Sequence, residues 1–459
     1  MKKLIFLLML GMAVISCTDN PKVASTVPYK IVKGTIVLDT PDREPGQQSA
    51  LGMTAEPIET VRIGLVGLGG RGYSALERLT YVEGVQINAI CDIYPEKVTR
   101  GNEYLASRNL PAAAEYSEEE GYKALCERDD IDLVYICTSW LAHVPVSLYA
   151  LEHGKHVACE VPAMMNVKDC WDIINTSEKT RKHFMMLENC CYDFFELTAL
   201  NMAQKGLFGE VYHVEGAYIH NLNPFWDGYQ DNWRLDYNSK FRGDNYPTHG
   251  VGPICQVLNI HRGDKMNYLV AMDTKPIMGA AKAKEKMGVD NFADGDHTVS
   301  LIRTELGHQI EVHHNVYAPR PYSRMYQLTG TQGFANKYPA SQLAFAPEFE
   351  DFVSREKYDS LMVQYKHPIT AEYEVKAREV GGHGGMDYIM DCRLVYCLRN
   401  GLPLDMDVYD AAEWCCINEL SRISIEAGSM PVQVPDFTRG DWNKVQGVHH
   451  AMVTGPNNP

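Results

Sequence analysis

The sequence predicts an α/β protein: a doubly wound parallel sheet first, then an α+β domain with a large open, mainly antiparallel sheet. Three observations predict it. From Val61 short apolar runs alternate with helical patterns, a glycine-rich turn joins the first run to the first helix, and after about Asn189 strand-like stretches replace the alternation.

Taken in order, Val61 to Val66 reads as a strand, Tyr73 to Val82 as a helix, Val85 to Cys91 as a strand and Glu96 to Ser107 as a helix. Ser117 to Glu127 reads as a further helix, Leu133 to Cys137 as a strand, Val144 to His153 as a helix and His156 to Cys159 as a strand. Val167 to His183 and Phe184 to Leu187 add one more helix and strand. In the second domain the strand-like stretches are Val211 to His220, His297 to Thr304, Gln309 to Val316 and Tyr326 to Thr329. Helical patterns at Met386 to Arg399 and Val408 to Ala427 are expected to pack back on the first domain. The boundaries expected are 1–17 for an export signal, 18–60 for a tether carrying a strand or two, 61–188 for the parallel domain and 189–459 for the rest.

The signal is read from Lys2 and Lys3, the apolar run Leu4 to Ile15, and Val14-Ile15-Ser16-Cys17, which resembles a bacterial lipobox. That reading makes Cys17 a lipidated N-terminus on the bacterial cell envelope, periplasmic or anchored in the outer membrane; the alternative is an ordinary signal peptide cut nearby. The formal charge of the 459 residues is −16, with no long Lys/Arg run, which argues against nucleic acid as a partner. Of the 13 cysteines, Cys91, Cys137 and Cys159 end apolar strands, while Cys190/Cys191 and Cys415/Cys416 are adjacent pairs. Buried free thiols are expected rather than disulfides, and without Cys-x-x-Cys or His-Glu-x-x-His no zinc site is expected.

The glycine turn is Gly67-Leu68-Gly69-Gly70-Arg71-Gly72. Gly67 suits a tight turn, Gly69 the approach of backbone N–H groups to a pyrophosphate, and Gly72 close helix–strand packing. Asp92 ends the second strand at the spacing of a carboxylate that bonds the adenosine ribose hydroxyls, and it favours NAD over NADP. Thr138 to His143 and Glu160-Val161-Pro162 follow later strands, at the edge where an open α/β sheet places its ligand.

Together these stretches resemble the glucose–fructose oxidoreductase and inositol dehydrogenase superfamily, whose fifth strand usually ends Glu-Lys-Pro. Val161 replaces that lysine and can carry no proton. The chain is more similar to the NAD-dependent glycoside hydrolases of family 109, of α-N-acetylgalactosaminidase type. That similarity rests on Trp140 to His143, Glu188-Asn189-Cys190, Asn232 to Leu235, Tyr246 to Gly250, Pro319 to Arg324 and Gly381 to Asp387, beside the glycine turn and Glu160-Val161-Pro162. The resemblance implies that Gly70, Arg71, Asp92, Trp140, Leu141, Ala142, His143, Glu160, Val161 and Asn189 bind NAD. It implies that Tyr218, Arg234, Tyr246, Pro247, Thr248, His249 and Tyr322, chosen over the nearby Tyr317 and Tyr326, meet the sugar. His249, Tyr246 and Tyr322 are then the catalytic candidates.

Each choice has a plainer alternative. His143 could pack at a helix start, Tyr246 and His249 could be structural, and Arg234 could be a surface ion pair. The Gly381 to Asp387 loop could shape the pocket, with His383 reaching in, or be a tight turn. Asp227, Asp231 and Asp236 suit a solvated face, and of His313 and His314 only one can face a site if both lie on a strand. The function implied is an exo-glycosidase acting on terminal N-acetylgalactosamine. In that route C3 oxidation by NAD acidifies the C2 proton, C1–O cleaves by elimination, water adds, and the hydride returns. A net sugar or cyclitol dehydrogenase and a non-catalytic glycan-binding surface protein are the alternatives. A homo-oligomer remains open.

Overall fold

The computed structural model describes residues 23–347 and 350–452; the signal reading and Cys17 lie outside them. In chain order the first elements are β1 (Tyr29–Val32), β2 (Thr35–Leu38), β3 (Val61–Val66), α1 (Gly70–Leu79), β4 (Val85–Cys91) and α2 (Pro95–Ser107). Next come β5 (Ala114–Tyr116), α3 (Gly121–Cys126), β6 (Leu133–Ile136), α4 (Trp140–Glu152), β7 (His156–Cys159), α5 (Val167–Thr180) and β8 (Phe184–Met186). The second domain holds α6 (Phe194–Gln204), β9 (Val211–Ile219), α7 (Trp233–Lys240), α8 (Thr248–Val257), β10 (Met266–Asp273), α9 (Met278–Met287), β11 (Thr298–Thr304) and β12 (Gln309–Asn315). It continues with β13 (Ser323–Gly330), β14 (Gly333–Asn336), β15 (Gln342–Phe345), α10 (Arg355–Gln364), α11 (Pro368–Val380), α12 (Met386–Asn400), α13 (Val408–Cys415), α14 (Ile417–Glu426) and β16 (Val432–Gln433).

The first sheet is parallel throughout, in the order β5-β4-β3-β6-β7-β8. Its central strands are apolar on both faces, as helices on both sides require: Leu133, Val134, Tyr135 and Ile136 are all fully buried. The chain therefore has a Rossmann-type domain, with β3 at the point where the strand order reverses. The second sheet runs β1-β2-β16-β10-β11-β12-β9-β13-β14-β15. It is mainly antiparallel, with parallel pairing between β12 and β9 and between β16 and β2. Along β12 the buried residues alternate (Ile310, Val312, His314), so one face of this sheet is covered. Helix α14 packs on that sheet against β10, and α13 packs between α5 and α8, which joins the two domains.

Several elements differ from the sequence reading. The helix expected from Ser117 starts only at Gly121, because Glu118 to Glu120 are exposed and have no apolar side chain to bury. The short strand β5 precedes it. Helix α4 begins at Trp140 rather than Val144, since Trp140 and His143 are already buried in its first turn. The stretch Val408 to Ala427 is two helices meeting at Cys416. From Val23 onward the presumed tether is packed rather than free: β1 and β2 extend the large sheet, Thr26 bonds the Glu419 carboxylate, and Arg43 bonds Glu178. The twelve described cysteines are all buried and free. No helix among the described residues is long and apolar enough to cross a membrane.

Glu178 is fully buried, 3.2 Å from Arg43 and 3.0 Å from Arg439, and it accepts the Tyr409 hydroxyl. Glu178→Ala would leave two guanidinium groups facing each other and should cost about 3–5 kcal/mol in urea unfolding. Arg43→Ala keeps the Arg439 pair and should cost clearly less but measurably; no loss would show that the N-terminal segment is not held through this carboxylate.

Candidate active site

The first half of the site lies at the C-terminal edge of the parallel sheet. Gly67 has φ of 93°, and a Cβ there would stand 2.6 Å from the Cys137 carbonyl oxygen; at Gly72 a Cβ would stand 1.8 Å from Gly67 O. Only glycine permits this turn to lie against β6 and under α1. Above Gly69 and Gly70, by contrast, a Cβ would meet nothing within 4 Å. That open cradle at the N-terminus of α1 is where a pyrophosphate fits. Asp92 is oriented by the Leu68 N–H at 2.7 Å and the Tyr94 N–H at 3.0 Å, and a carboxylate with these two bonds retains lone pairs for ribose hydroxyls. The residues present therefore fit a dinucleotide.

Arg71, in the first turn of α1, bridges two carboxylates: Glu160 after β7 at 2.7 Å and Asp387 in α12 at 2.6 Å. Asp387 is fully buried and also accepts from Asn189 Nδ2 at 2.5 Å, with His383 Nδ1 2.8 Å away. Burial pushes its carboxyl up, but Arg71, His383 and Arg78 outweigh that and hold it well below the usual range. The Gly381 to Asp387 loop is thus tied to the glycine turn. His383 bonds Asp387 from the loop, while its own ring is largely exposed.

His143 lies beside the crevice, in the first turn of α4. Its ring is 1% exposed, with Nδ1 2.9 Å from Pro162 O and Nε2 3.1 Å from Thr138 O. Burial lowers its pKa to about 4, and as a neutral imidazole it has one N–H to donate to one of these two carbonyls. Leu141 is exposed, Ala142 half-buried, and Val161 buried. Trp140 carries the crevice into the second domain, edge-on to Trp233 and Tyr237 and 5.9 Å from the Tyr246 ring.

The second half is built where α8 meets β9. A Cβ on Gly216 would stand 2.2 Å from Gly250 O, so helix and strand approach backbone to backbone. This brings His249, at the start of α8, to 5.3 Å from the Tyr218 ring. His249 Nδ1 lies 2.7 Å from the buried Glu188 Oε1, and Nε2 lies 3.5 Å from Tyr246 Oη. An ionised carboxylate only accepts, so Nδ1 carries the hydrogen and Nε2 is left to face Tyr246. Burial raises the Glu188 carboxyl, but the His249 and Thr248 contacts outweigh it and leave it below its usual range. Pro247 and Thr248 are buried and set this corner.

Arg234 is not a surface ion pair. It is 4% exposed, with its guanidinium carbon 4.8 to 5.9 Å from the rings of Tyr246, Trp140, Tyr229 and Tyr218. Nη1 bonds Tyr229 Oη at 2.8 Å, whereas Nε and Nη2 have no partner among the described residues. Tyr218 Oη lies 2.9 Å from His220 Nδ1. Tyr322, half-exposed, stands at the rim 5.1 Å from His220, while Tyr317 and Tyr326 are buried and bond Asp294 and the Glu196 carbonyl. Asp227 and Asp236 pair with Lys286 and Lys240, and Asp231 accepts from Tyr94, so these three form no carboxylate pair. Glu188, His220 and Asp387 were not selected from sequence. Glu188 and Asp387 lay inside matched stretches, and only their contacts reveal them.

Among the described residues two groupings offer metal-ligand atom types, Glu188–Cys190–His249 and His261–Asp407–Asp410. In the first, burial raises the Cys190 thiol well above its usual value, which disfavours the thiolate a metal would need. In the second, Arg262 already grips Asp410 with both arms.

Residues 192–444 match the family model described as glycosyl hydrolase 109, C-terminal domain, and residues 61–188 match an oxidoreductase family, NAD-binding Rossmann fold. The chain is 55% identical to glycosyl hydrolase family 109 protein 1 of Bacteroides thetaiotaomicron, over 99% of this chain and all of that protein. It is 58% identical to the glycosyl hydrolase family 109 protein of Porphyromonas gingivalis, covering 91% and 93% of the two chains. Among solved structures, an NAD-binding oxidoreductase from Klebsiella pneumoniae shares the fold, with a TM-score of 0.63, 15% identity, and 83% and 100% of the two chains covered.

Asp387→Asn keeps the shape but removes the charge that fixes Arg71. It should speed nucleotide loss during gel filtration at least several-fold, read by absorbance at 260 nm; unchanged retention would remove the loop from cofactor binding. Asp92→Arg should weaken NAD by about 1–3 kcal/mol and relatively favour NADP, as titration would show. Asp244 is buried with no cation beside it, and burial pushes its carboxyl up to about 7. The folded chain therefore holds a proton that the unfolded chain releases near pH 4, so this residue's contribution falls as pH rises from about 4 to 7. Asp244→Asn should flatten the decline of Tm over that interval, and an unchanged slope would mean Asp244 does not cause it.

Proposed function

The chain belongs to glycosyl hydrolase family 109 and carries an NAD-binding Rossmann domain, and from that premise we propose that it is an exo-glycosidase releasing terminal N-acetylgalactosamine with NAD tightly held throughout. The observation that carries the reading is the acid–base set. His249 and Tyr246 face each other next to a buried arginine with unused N–H groups, where an ordinary glycosidase would present two carboxylates.

Gly69, Gly70, Arg71, Asp92, Glu160 and Asn189 would hold the cofactor. Bound there, NAD supplies a reversible hydride acceptor, and a ketone next to C2 of the sugar makes the C2 proton removable. The chain's own side chains do the rest. Glu188 fixes the His249 ring so that Nε2 points toward Tyr246, and an imidazole oriented in this way can pass protons between substrate and Tyr246. Tyr246 Oη and His249 Nε2 would between them take the proton that leaves the C3 hydroxyl as its hydride departs, take the C2 proton, and give a proton to the departing glycosidic oxygen. Arg234 donates to a substrate hydroxyl or to the acetamide carbonyl, and the rings of Trp140, Tyr218 and Tyr246 exclude water around it. Val161, buried where relatives of the oxidoreductase type carry lysine, leaves proton transfer to the His–Tyr pair. Tyr322 borders the mouth and meets the sugar from there.

We assign the enzyme to the bacterial envelope, exported and anchored through lipidated Cys17, where terminal glycans are accessible. A lipid-labelled mature protein would support this, and a soluble unlabelled one would refute it.

Cleavage in heavy water should place deuterium at C2 of the released N-acetylgalactosamine, and no NADH should accumulate. His249→Ala and Tyr246→Phe should each lower turnover by about 10²-fold or more while the nucleotide stays bound. Product without C2 deuterium beyond an enzyme-free control would rule out elimination, and stoichiometric NADH would make the protein a net dehydrogenase.

A further inference from the structure

The adjacent histidines of β12 divide between the two faces of the sheet. His313 points to the outer face, where Nε2 meets Glu311 at 2.6 Å and Nδ1 lies 3.1 Å from His297. His314 points inward, between Thr298 of β11 and Tyr218 of β9. It is 1% exposed, and neither of its ring nitrogens has a hydrogen-bond partner among the described residues. Burial, reinforced by the charge of Arg234, lowers its pKa to about 3, so the ring is neutral. A neutral imidazole carries one donor and one acceptor, and leaving both buried and unpaired is costly.

The neighbouring groups indicate what could pair with them. His314 lies nearly parallel to the Tyr218 ring at 6.4 Å, and the Arg234 guanidinium lies 5.9 Å from that same ring. Arg234 brings unpaired N–H donors and no acceptor. A ligand group that accepts from the guanidinium and also donates to the imidazole's acceptor nitrogen would pair both. An acetamide does so with its carbonyl oxygen and its N–H, held in one plane.

We propose that His314 is a substrate-binding residue that, with Arg234, recognises the acetamido substituent of the sugar. The inference rests on the glycosidase reading above for its ligand class, but not on the galacto configuration.

The test uses the full-length holoenzyme and the variants His314→Phe and His314→Gln. The ratio of kcat/KM for an aryl N-acetylgalactosaminide to that for the matching aryl galactoside should fall about tenfold or more in His314→Phe, mainly through KM. His314→Gln, which keeps a donor and an acceptor, should recover part of it. Calorimetric binding of free N-acetylgalactosamine, N-acetylglucosamine and galactose gives a readout independent of turnover: His314→Phe should lose the preference for the N-acetyl sugars. Since phenylalanine removes two unpaired polar atoms, its Tm should hold or rise. A raised Tm with both ratios unchanged would overturn the inference and leave His314 a purely structural residue. If His314→Phe does not fold, an unchanged ratio in His314→Gln together with unchanged sugar binding overturns it as well. A wild type that prefers N-acetyl sugars in calorimetry but cleaves none would sink the glycosidase reading alone, and the binding ratio would still decide His314.

Discussion

The chain passes from its nucleotide-binding domain into its second domain through Glu188 and Asn189, and the buried contacts of these two side chains fix the site. Glu188 orients His249, and Asn189 reaches Asp387, which holds Arg71 beside the glycine turn. One crossing of the backbone thus sets both His249, the acid–base group we propose, and the glycine turn. Charged groups buried this deeply cost free energy unless each is paired, so removing one partner strands the others. Apolar contact is added by α12, which packs against α1 and β3, and by α13, which packs against α5 and α8.

Around that ionic frame the substrate half follows a different rule. Among the described residues no carboxylate pairs with Arg234, and its charge is met by the electron-rich faces of Trp140, Tyr218, Tyr229 and Tyr246 and by the Tyr229 hydroxyl. A cation left in this state attracts polar atoms of a ligand more strongly than one already paired. The neutral imidazoles of His220 and His314 beside Tyr218 extend the same polar lining. The site therefore combines an over-determined cofactor end with an under-satisfied sugar end.

The strands of the parallel domain were legible almost to the residue, because buried parallel strands are short continuous apolar runs closed by glycine or charge. Val61 to Val66 and His156 to Cys159 match exactly. Helix starts were less legible: α4 begins at Trp140 because that ring is buried against the second domain, a contact absent from local periodicity. Residues 23–60 look like a polar linker by composition, yet Thr26 and Arg43 find buried carboxylates more than a hundred residues away. The site divided in the same way. Gly67, Gly72 and Asp92 could be placed by spacing, whereas the contacts of the His143 ring with the Pro162 and Thr138 carbonyls could not.

By itself the sequence determined the order of strands and helices, the glycine turn and the residue types available for chemistry, since these depend on neighbours a few positions apart. Only the tertiary structure decided which side chains meet. Glu188 and His249 are 61 positions apart and Arg71 and Asp387 are 316 apart, and no local pattern encodes such a pairing. The physical reason is that charge compensation and hydrogen bonding act over a few ångströms in space, and packing of α8 on β9 and of α12 beside α1 sets that distance.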